Sequence, residues 1–253
     1  MTKSKQLYGG VLIKADHILE YLSRQNQPKR LNEIAKQTEL TNSTALKILN
    51  TLLLIGYVQR DPDTKTYSLG PRLIKYANKS LHQISIKQLA QPHIELLQKK
   101  TEETVHLGIN ELNNIIYISK IESKKPVSLY SEIGKTIPLY CSAMGKAILA
   151  EFSDEEIEAY IDNTTFVQFT ENTIITKEQL YNEISKIRNK GFAFDDGEHD
   201  LEVFCIGCSI TGSGKNYGAI SVSLPKYRLT DDVLKDLINN IIDCKNQILS
   251  ELT

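Results

Sequence analysis

Apolar residues near the start of the chain recur at steps of three and four, a spacing that predicts helices with one buried face. The first predicted helix spans residues 10–25 and ends before Pro28, which cannot continue it. Its apolar face consists of Leu12, Ala15, Ile18, Leu19 and Leu22. A second, shorter helix follows, with Asn32 as its expected N-cap and with Ile34 and Ala35 facing inward.

A third helix is predicted to begin at Thr41 or Asn42, either of which can cap it, and to stop at Gly56 in a left-handed conformation. Its buried stripe is Ala45, Ile48, Leu49 and Leu52. Two short strands, 57–60 and 65–69, then flank a turn rich in Asp and Pro and predict a β-hairpin.

Three helices followed directly by a hairpin are typical of a winged helix-turn-helix, which binds duplex DNA with its third helix in the major groove and its wing on flanking phosphate. The residues predicted to contact DNA are Thr41, Asn42, Ser43, Thr44, Lys47 and Asn50 on the third helix and Arg60 and Lys65 on the wing. The alternative is that these are solvated polar positions on a small interaction domain.

Charge divides the chain in the same way as the pattern does. The whole chain has a net charge of −1, but residues 1–75 contain 12 basic and 6 acidic residues, and the remainder contains 18 basic and 25 acidic ones. A basic head joined to an acidic body suits a protein whose head binds a polyanion. We therefore expect two domains: a DNA-binding domain over residues 1–71, and a linker helix with a second domain over residues 72–253.

The second part alternates predicted helices with strands grouped in hairpins, which favours an antiparallel α+β domain. The helices are predicted near 73–80, 86–102, 143–151, 154–161, 177–190 and from 231 onward. The strands are predicted near 105–109, 115–121, 127–130, 192–195, 203–210 and 217–224. Ser153 with Glu156, and Thr176 with Gln179, have the spacing of capping boxes.

Composition excludes some classes of protein. No run of 18 apolar residues occurs and the first ten residues lack the apolar core of a signal peptide, so we expect a cytoplasmic protein with no membrane partner. The four cysteines lack the density and spacing of a secreted disulfide scaffold and are expected to be reduced thiols.

Several segments resemble the IclR family of bacterial transcription regulators. In the head these are LNEIA at 31–35 and YSLG at 67–70, and in the body they are IGKTIPLYCSAMGKAILA, GFAFDDGEH, CIGCSI and GAISVSLPKYRLT. The resemblance covers almost the whole chain, and it implies a GAF-like effector-binding domain that requires no cofactor. It implies operator-controlled transcription, with a repressor as the expectation and an activator as the open alternative.

The resemblance also implies a pocket for a small-molecule effector, lined by Leu129, Ala143, Met144, Asp195, Val203, Cys205, Ser221 and Ser223. The residues add two observations. Ser142 to Gly145 open a helix whose free N–H groups suit a carboxylate, although an ordinary capped helix is equally consistent. Two serines two apart on a strand face the same side. Our hypothesis is that an organic acid or similar metabolite binds there and shifts a dimer between DNA-competent and incompetent states.

The chain departs from the family at three positions. Asn42 stands where a basic residue usually opens the recognition helix, and Leu46 stands where a His or similar polar residue is usual. Recognition is therefore expected to depend on amide bonding to adenine and apolar contact with thymine methyl groups, with phosphate contacts left to the wing and linker. Glu202 replaces a usual Gly, which predicts a differently shaped loop before Cys205.

Three other interpretations of the body remain open. Cys141, His199 and Cys205 could form a metal or redox site, although Cys205 and Cys208 face opposite sides of a strand and chelate poorly together. An enzyme could draw on His106, Asp195, Asp196, Glu198, His199 and Cys205, but no motif orders them. A DNA-binding scaffold with a vestigial pocket is the third. Gly212-Ser213-Gly214-Lys215 lacks the remainder of a phosphate-binding loop and predicts a hairpin turn.

Reading two half-sites requires two heads, so we expect a homodimer, with a dimer of dimers as the open alternative. The linker helix carries Leu73, Ile74 and Ala77 on one apolar side. These residues are expected either to form part of the dimer interface or to pack against their own head.

Overall fold

The computed structural model describes residues 9–83, 85–126 and 129–252. The chain divides between Gln83 and Ile84 into two compact units, called here the head and the body. The structure groups the linker helix with the head. The boundary after residue 71 stays a prediction about the function of each part.

The head contains three helices around one core, as the periodicity predicts. They are α1 (Gly10–Ser23), α2 (Leu31–Gln37) and α3 (Asn42–Leu54). The core is formed by Ile18, Leu22, Ile34, Ile48, Leu49, Leu52, Val58 and Tyr67. Gly56 ends α3 with φ of 75°, which confirms the left-handed stop. A Cβ atom at Gly70 would lie 2.3 Å from the carbonyl oxygen of Gly56, so only glycine lets the hairpin return this closely to the helix.

Two local predictions in the head are wrong. Asn32 does not cap α2, because the helix begins one residue earlier, at Leu31, and the backbone N–H of Arg30 donates to the carboxylate of Glu33 at 2.9 Å. Leu12 is not part of the core, because its side chain is 72% exposed although it lies on the predicted face of α1. Val11 and Ile13 are exposed as well, so the first turn of α1 lies outside the core of the head.

The wing is an antiparallel pair, β1 (Val58–Arg60) and β2 (Tyr67–Leu69), which confirms the predicted hairpin. The carboxylate of Asp61 accepts the backbone N–H groups of Asp63 and Thr64 at 2.9 and 2.7 Å, a turn that only a short acidic or amide side chain can close in this way. The linker helix α4 (Arg72–Gln83) follows.

The body is built on a six-stranded antiparallel sheet in the order β5-β4-β3-β8-β7-β6. In chain order the strands are β3 (Thr104–Glu111), β4 (Asn114–Ile121), β5 (Thr136–Pro138), β6 (Ala193–Asp196), β7 (Val203–Gly212) and β8 (Lys215–Pro225). The strand predicted over 127–130 is wrong in its described part, since Leu129 and Tyr130 lie in a loop; residues 127 and 128 lie outside the described residues. The edge strand is β5 instead.

Helices cover both faces of this sheet. One face is covered by α5 (Ser85–Thr101) and α9 (Asp231–Ser250). The other face is covered by α6 (Ala143–Leu149), α7 (Asp154–Asp162) and α8 (Lys177–Lys190), whose apolar sides share a core with Ile115 and Ala219 of the sheet. This arrangement confirms the predicted α+β class.

The turn chemistry of the body agrees with its sequence. Ser153 with Glu156 and Thr176 with Gln179 form the two predicted capping boxes, at the starts of α7 and α8. Ser213 and Gly214 join β7 to β8 with φ values of 52° and 74°, the two positive values of a tight hairpin turn. The GSGK run is therefore a hairpin turn.

Candidate functional site

The first candidate site is the outer face of α3, where the predicted DNA-contact residues lie. Asn42, Ser43, Lys47 and Asn50 are exposed, and Thr44 is partly buried. Thr41 is the N-cap: its hydroxyl oxygen accepts the backbone N–H of Thr44 at 3.2 Å and its O–H donates to the hydroxyl of Thr44 at 2.9 Å. The two threonines thus fix the start of α3, and the exposed amides and lysine form its free polar surface.

The wing presents its two predicted basic residues to solvent. Arg60 is exposed, and its guanidinium carbon lies 5.5 Å from the centre of the Tyr67 ring. Lys65 is exposed and sits at φ of 57°, in the turn that closes the wing. The contact of Arg60 with the Tyr67 ring orients the guanidinium without neutralising it. The charge of Arg60 therefore remains available to a phosphate.

The second candidate site is a cavity of about 430 Å³ in the body, between the sheet and the start of α6. Its volume suits a small molecule. All eight residues predicted from the resemblance lie on its wall: Leu129, Ala143, Met144, Asp195, Val203, Cys205, Ser221 and Ser223.

The strand register explains why residues so distant in sequence meet here. Asp195 pairs with Cys205 and Cys205 pairs with Ser223, so these three form one row across β6, β7 and β8. In the next row on the same face, Ser221 of β8 pairs with His106 of β3. Sheet pairing, which the sequence does not specify, therefore assembles the floor of the cavity.

A glycine sets the position of α6 over this floor. A Cβ atom at Gly207 would lie 2.7 Å from the carbonyl carbon of Ala143 and 2.8 Å from the backbone nitrogen of Met144. Ser142 caps α6 through its hydroxyl oxygen, which accepts the N–H of Gly145 at 3.1 Å. The first turn of α6 can reach the cavity only because β7 has no side chain at this position.

The structure adds wall residues that the pattern did not single out as pocket residues. They include His106, Tyr117, Tyr130, Ser131, Phe169 and His199. His106 is buried: its Nδ1 lies 3.5 Å from the hydroxyl oxygens of Ser221 and Ser223, and its Nε2 lies 2.8 Å from that of Ser131. Burial, with the nearby Lys120 charge, lowers the pKa of His106 to about 3. The ring is therefore neutral near pH 7.

Asp195 both lines the cavity and holds a loop. One carboxylate oxygen accepts the backbone N–H of Glu198 at 2.7 Å. Burial raises the pKa of Asp195 to about 6, although this hydrogen bond and the charge of Lys146 act in the opposite direction.

Behind that loop lies a buried ion pair. The ammonium of Lys146, on α6, is fully buried and pairs with Glu198. A carboxylate oxygen of Glu183, on α8, lies 3.8 Å from the same ammonium. Burial raises the pKa of Glu198 to about 7, against the lowering effect of Lys146. The pair ties α6 to the loop that follows β6 and carries His199, and Asp195 of β6 bonds to the same loop.

The cysteines do not assemble a metal site in the described part of the chain. There, no three His, Cys, Asp or Glu side chains come close enough to hold one ion, so Cys141, His199 and Cys205 are not brought together as ligands. Cys205 faces the cavity, whereas Cys208 faces α9, as their spacing on a strand predicts. Burial raises the pKa of Cys205 well above its ordinary value, which keeps it a thiol.

Within the described residues, no helix has the length and apolar character needed to cross a bilayer.

A winged helix-turn-helix with an exposed polar face, followed by a domain that encloses a small-molecule cavity, is the architecture of a DNA-binding transcription regulator. Residues 11–62 match the family model of the IclR helix-turn-helix domain, and residues 78–250 match that of the bacterial transcriptional regulator IclR C-terminal domain. The chain belongs to the IclR family of bacterial transcription regulators, as its resemblance predicts.

Individual relatives agree over nearly the full length. The HTH-type transcriptional regulator XynR of Escherichia coli (strain K12) is 30% identical over 219 residues, covering 86% of this chain and 87% of XynR. The crystal structure of Thermotoga maritima IclR superposes with a TM-score of 0.73 at 29% identity, covering 96% of this chain and 98% of that one. An IclR homologue from Microbacterium hydrocarbonoxydans, solved with 4-hydroxybenzoate, has the same fold at a TM-score of 0.76 and 20% identity, covering 95% of this chain and 99% of that one.

Proposed function

We propose that a small metabolite, in the first instance an organic acid, binds the cavity of the body and changes the affinity of the head for an operator. The observation that carries this proposal is that the eight residues assigned to an effector pocket by the family resemblance line one cavity of about 430 Å³. A homologue of the same fold has been solved with 4-hydroxybenzoate, which supports a small organic acid as the effector class. Coupling requires that the effector bind the DNA-competent and incompetent states with different affinity.

The carboxylate of the effector is proposed to lie against the first turn of α6. Ser142 already caps the N–H of Gly145, and the turn that carries Ala143 and Met144 lines the cavity. Backbone N–H groups at a helix start favour an anion. Asp195 and the two serines are proposed to bond the polar groups at the other end of the molecule.

Operator reading is proposed to fall to α3 and phosphate contact to the wing, on the chromosome in the cytoplasm. Asn42 and Asn50 are exposed amides that can pair with adenine edges. Arg60 and Lys65 contribute charge without sequence information. Thr41, Ser43, Thr44 and Lys47 complete the proposed DNA-contact set.

A homodimer is proposed because two half-sites need two heads. Ile74 of the linker helix is 61% exposed and Ala77 is exposed, which supports an interface with a second copy over packing against their own head. Leu73 is partly buried. Pairing of dimers into tetramers stays an open alternative.

A regulator is favoured over an enzyme by the chemistry of the cavity. Its buried histidine, His106, has a pKa of about 3, so it is a poor general base near neutral pH. The second ring nitrogen of His106 meets the hydroxyl of Ser131, where a catalytic triad would have a carboxylate. Asp196, another residue that an enzyme could have used, is exposed and pairs with Lys226 at 2.8 Å.

Calorimetric titration of the full-length protein with a metabolite panel tests this function, together with salt-sensitive binding to DNA upstream of its own gene. We expect one metabolite to bind and to change the DNA affinity. The double variant Asp195→Ala, Ser221→Ala should lose that binding, and Asp196→Ala, which changes the exposed neighbour, should keep it. Unchanged metabolite binding by the double variant would place the effector elsewhere.

A further inference from the structure

The floor of the cavity is a cluster of three neutral polar side chains that are not well satisfied by one another. His106, Ser221 and Ser223 are buried, and both serine hydroxyls lie 3.5 Å from the same nitrogen, Nδ1 of His106. Good O–H···N contacts are several tenths of an ångström shorter, so His106 holds neither hydroxyl well. Ser223 also hydrogen-bonds the thiol of Cys205, so Ser221 is the less satisfied of the two. A buried hydroxyl without a good partner costs free energy, which a ligand group of better geometry would recover.

The other nitrogen of His106 gives the cluster a fixed direction. Nε2 lies 2.8 Å from the hydroxyl oxygen of Ser131, in the loop on the far wall. That loop is held by Lys120, whose ammonium donates to the carbonyl oxygens of Leu129 and Ser131 at 3.0 and 2.8 Å. The imidazole is therefore held at one end, and its free end, Nδ1, faces the serine pair and the cavity.

The electrostatics of the wall disfavour a multiply charged ligand. No lysine or arginine is among the described residues that line the cavity, whereas Asp195 and Asp200 are. The ammonium groups around the wall are engaged. Lys120 makes three bonds, two to those carbonyls and one to Glu122 at 2.9 Å, and Lys146 pairs with Glu198. Lys135, at 3.6 Å from the centre of the Tyr130 ring, pairs with Glu132 at 3.3 Å. A phosphate brings a charge of about −1.5 to −2 at pH 7. The start of α6 suits the single charge of a carboxylate, but the described side chains of this wall offer no cation for a second charge.

The mouth of the cavity differs from its floor. Tyr130, Phe169 and Leu201 line it and are substantially exposed, and the Phe169 ring lies 4.7 Å from the His199 ring. Apolar and aromatic side chains at an opening suit the carbon skeleton of a small molecule. A compound would therefore bury its polar end at the floor and leave its apolar part at the mouth.

We infer that the effector is a small hydroxylated compound without phosphate, and that His106, together with Ser221 and Ser223, binds its hydroxyl group and so determines specificity. This inference rests on the proposed function, because it assumes that the cavity holds the effector. It adds the functional group that is recognised, the class of compound that is excluded and a residue, His106, that the sequence did not assign to effector binding.

The test uses matched series of compounds on the full-length protein, after salt-sensitive DNA binding has been established. One series is benzoate, 4-hydroxybenzoate and 4-carboxyphenyl phosphate; the other is propionate, 3-hydroxypropionate and 3-phosphooxypropionate. In titration calorimetry we expect the hydroxylated member of at least one series to bind about tenfold tighter than the member without a hydroxyl. The phosphate ester should show no binding.

The variant His106→Phe should remove the tenfold preference for the hydroxyl while leaving DNA binding intact. His93→Phe is the matched control, because His93 bonds to Glu251 between α5 and α9, on the other face of the sheet. If His106→Phe does not fold, Ser223→Ala should reduce the same preference. Three outcomes would overturn the inference: tight binding of a phosphate ester, an unchanged preference in the variants, or no binding by any of the six compounds. A lack of DNA binding would instead count against the proposed function.

Discussion

The described charged side chains of the head are exposed or partly buried, whereas Lys146, Glu198 and Asp195 of the body are buried. Arg60 and Lys65 on the wing are exposed, so their charges act on whatever approaches them. The buried charges of the body are compensated by one another, and they act on the position of α6 and the cavity loop. The same type of side chain therefore serves recognition in one unit and architecture in the other, and substitutions should separate the two roles.

The largest expected effect is on stability, from Lys146→Met. Removing one partner of a buried pair leaves the other uncompensated, so we expect a loss of about 3–5 kcal/mol in the free energy of unfolding of the body. Chemical denaturation measures it. Lys186→Met is the control, because Lys186 also pairs with Glu183, at 3.2 Å, but is 65% exposed; its loss should stay below about 1 kcal/mol. Equal losses in the two variants would contradict the contrast between buried and exposed charge.

The next effect is on the pH dependence of stability, where His106 acts in the opposite direction to Glu198 and Asp195, whose pKa values are both raised. Burial raises the pKa of Glu198 from 4.5 to about 7, so the folded state binds more protons in that interval, and its contribution is greatest below pH 4.5 and falls as the pH rises to 7. His106 has its pKa lowered from 6.5 to about 3, so its contribution is lost as the pH falls from 6.5 toward 3.

Each contribution amounts to a few kcal/mol at most. Glu198→Gln should therefore flatten the decline in stability between pH 5 and 7, and His106→Phe should reduce the loss on acidification. Unfolding midpoints at pH 4, 5, 6 and 7 distinguish the two. A pH profile that neither substitution changes would show that these groups ionise alike in the folded and unfolded chains.

A smaller effect is expected at the reading surface of the head. Asn42→Ala should lose about 1–3 kcal/mol of discrimination between the operator and unrelated DNA, because an amide that pairs with adenine is removed. Fluorescence anisotropy on both DNA sequences measures this difference. Asn32→Ala, an exposed asparagine on α2, is the control and should keep full discrimination. Loss of affinity for both DNA sequences alike would assign Asn42 to phosphate contact.

The smallest effect is expected on the wing. Arg60→Ala should weaken binding to every DNA sequence by about 1 kcal/mol and lower the slope of log affinity against log salt by roughly 0.9, because one phosphate contact is lost. Titration at several salt concentrations checks both values. If the variant instead changed the preference among sequences, the division of labour between α3 and the wing would be wrong.

Much of the head was predictable because its contacts are local. The periodicity of Ile18, Leu22, Leu49 and Leu52 placed three helices around a core, and the turn residues placed the wing. The failures are at helix starts: Leu12 is exposed and Glu33, not Asn32, completes the cap of α2. The cap of α2 depends on one turn of helix, where several side chains compete for the same backbone groups. The exposure of Leu12 depends on which elements pack over it.

In the body the sequence predicted most of the helices and strands, although it placed a strand over 127–130 and missed β5. Resemblance to the family supplied eight residues of the cavity wall. It could not show that His106 lies beside Ser221, or that α6 approaches β7 at Gly207, because these depend on which strands pair and in which register. A strand pattern records which side a residue faces, not which neighbour lies beside it. The sequence by itself therefore determined the family and most of the elements. Only the tertiary structure decided the chemistry of the cavity, because pairing between residues 115 positions apart, His106 and Ser221, brought its floor together.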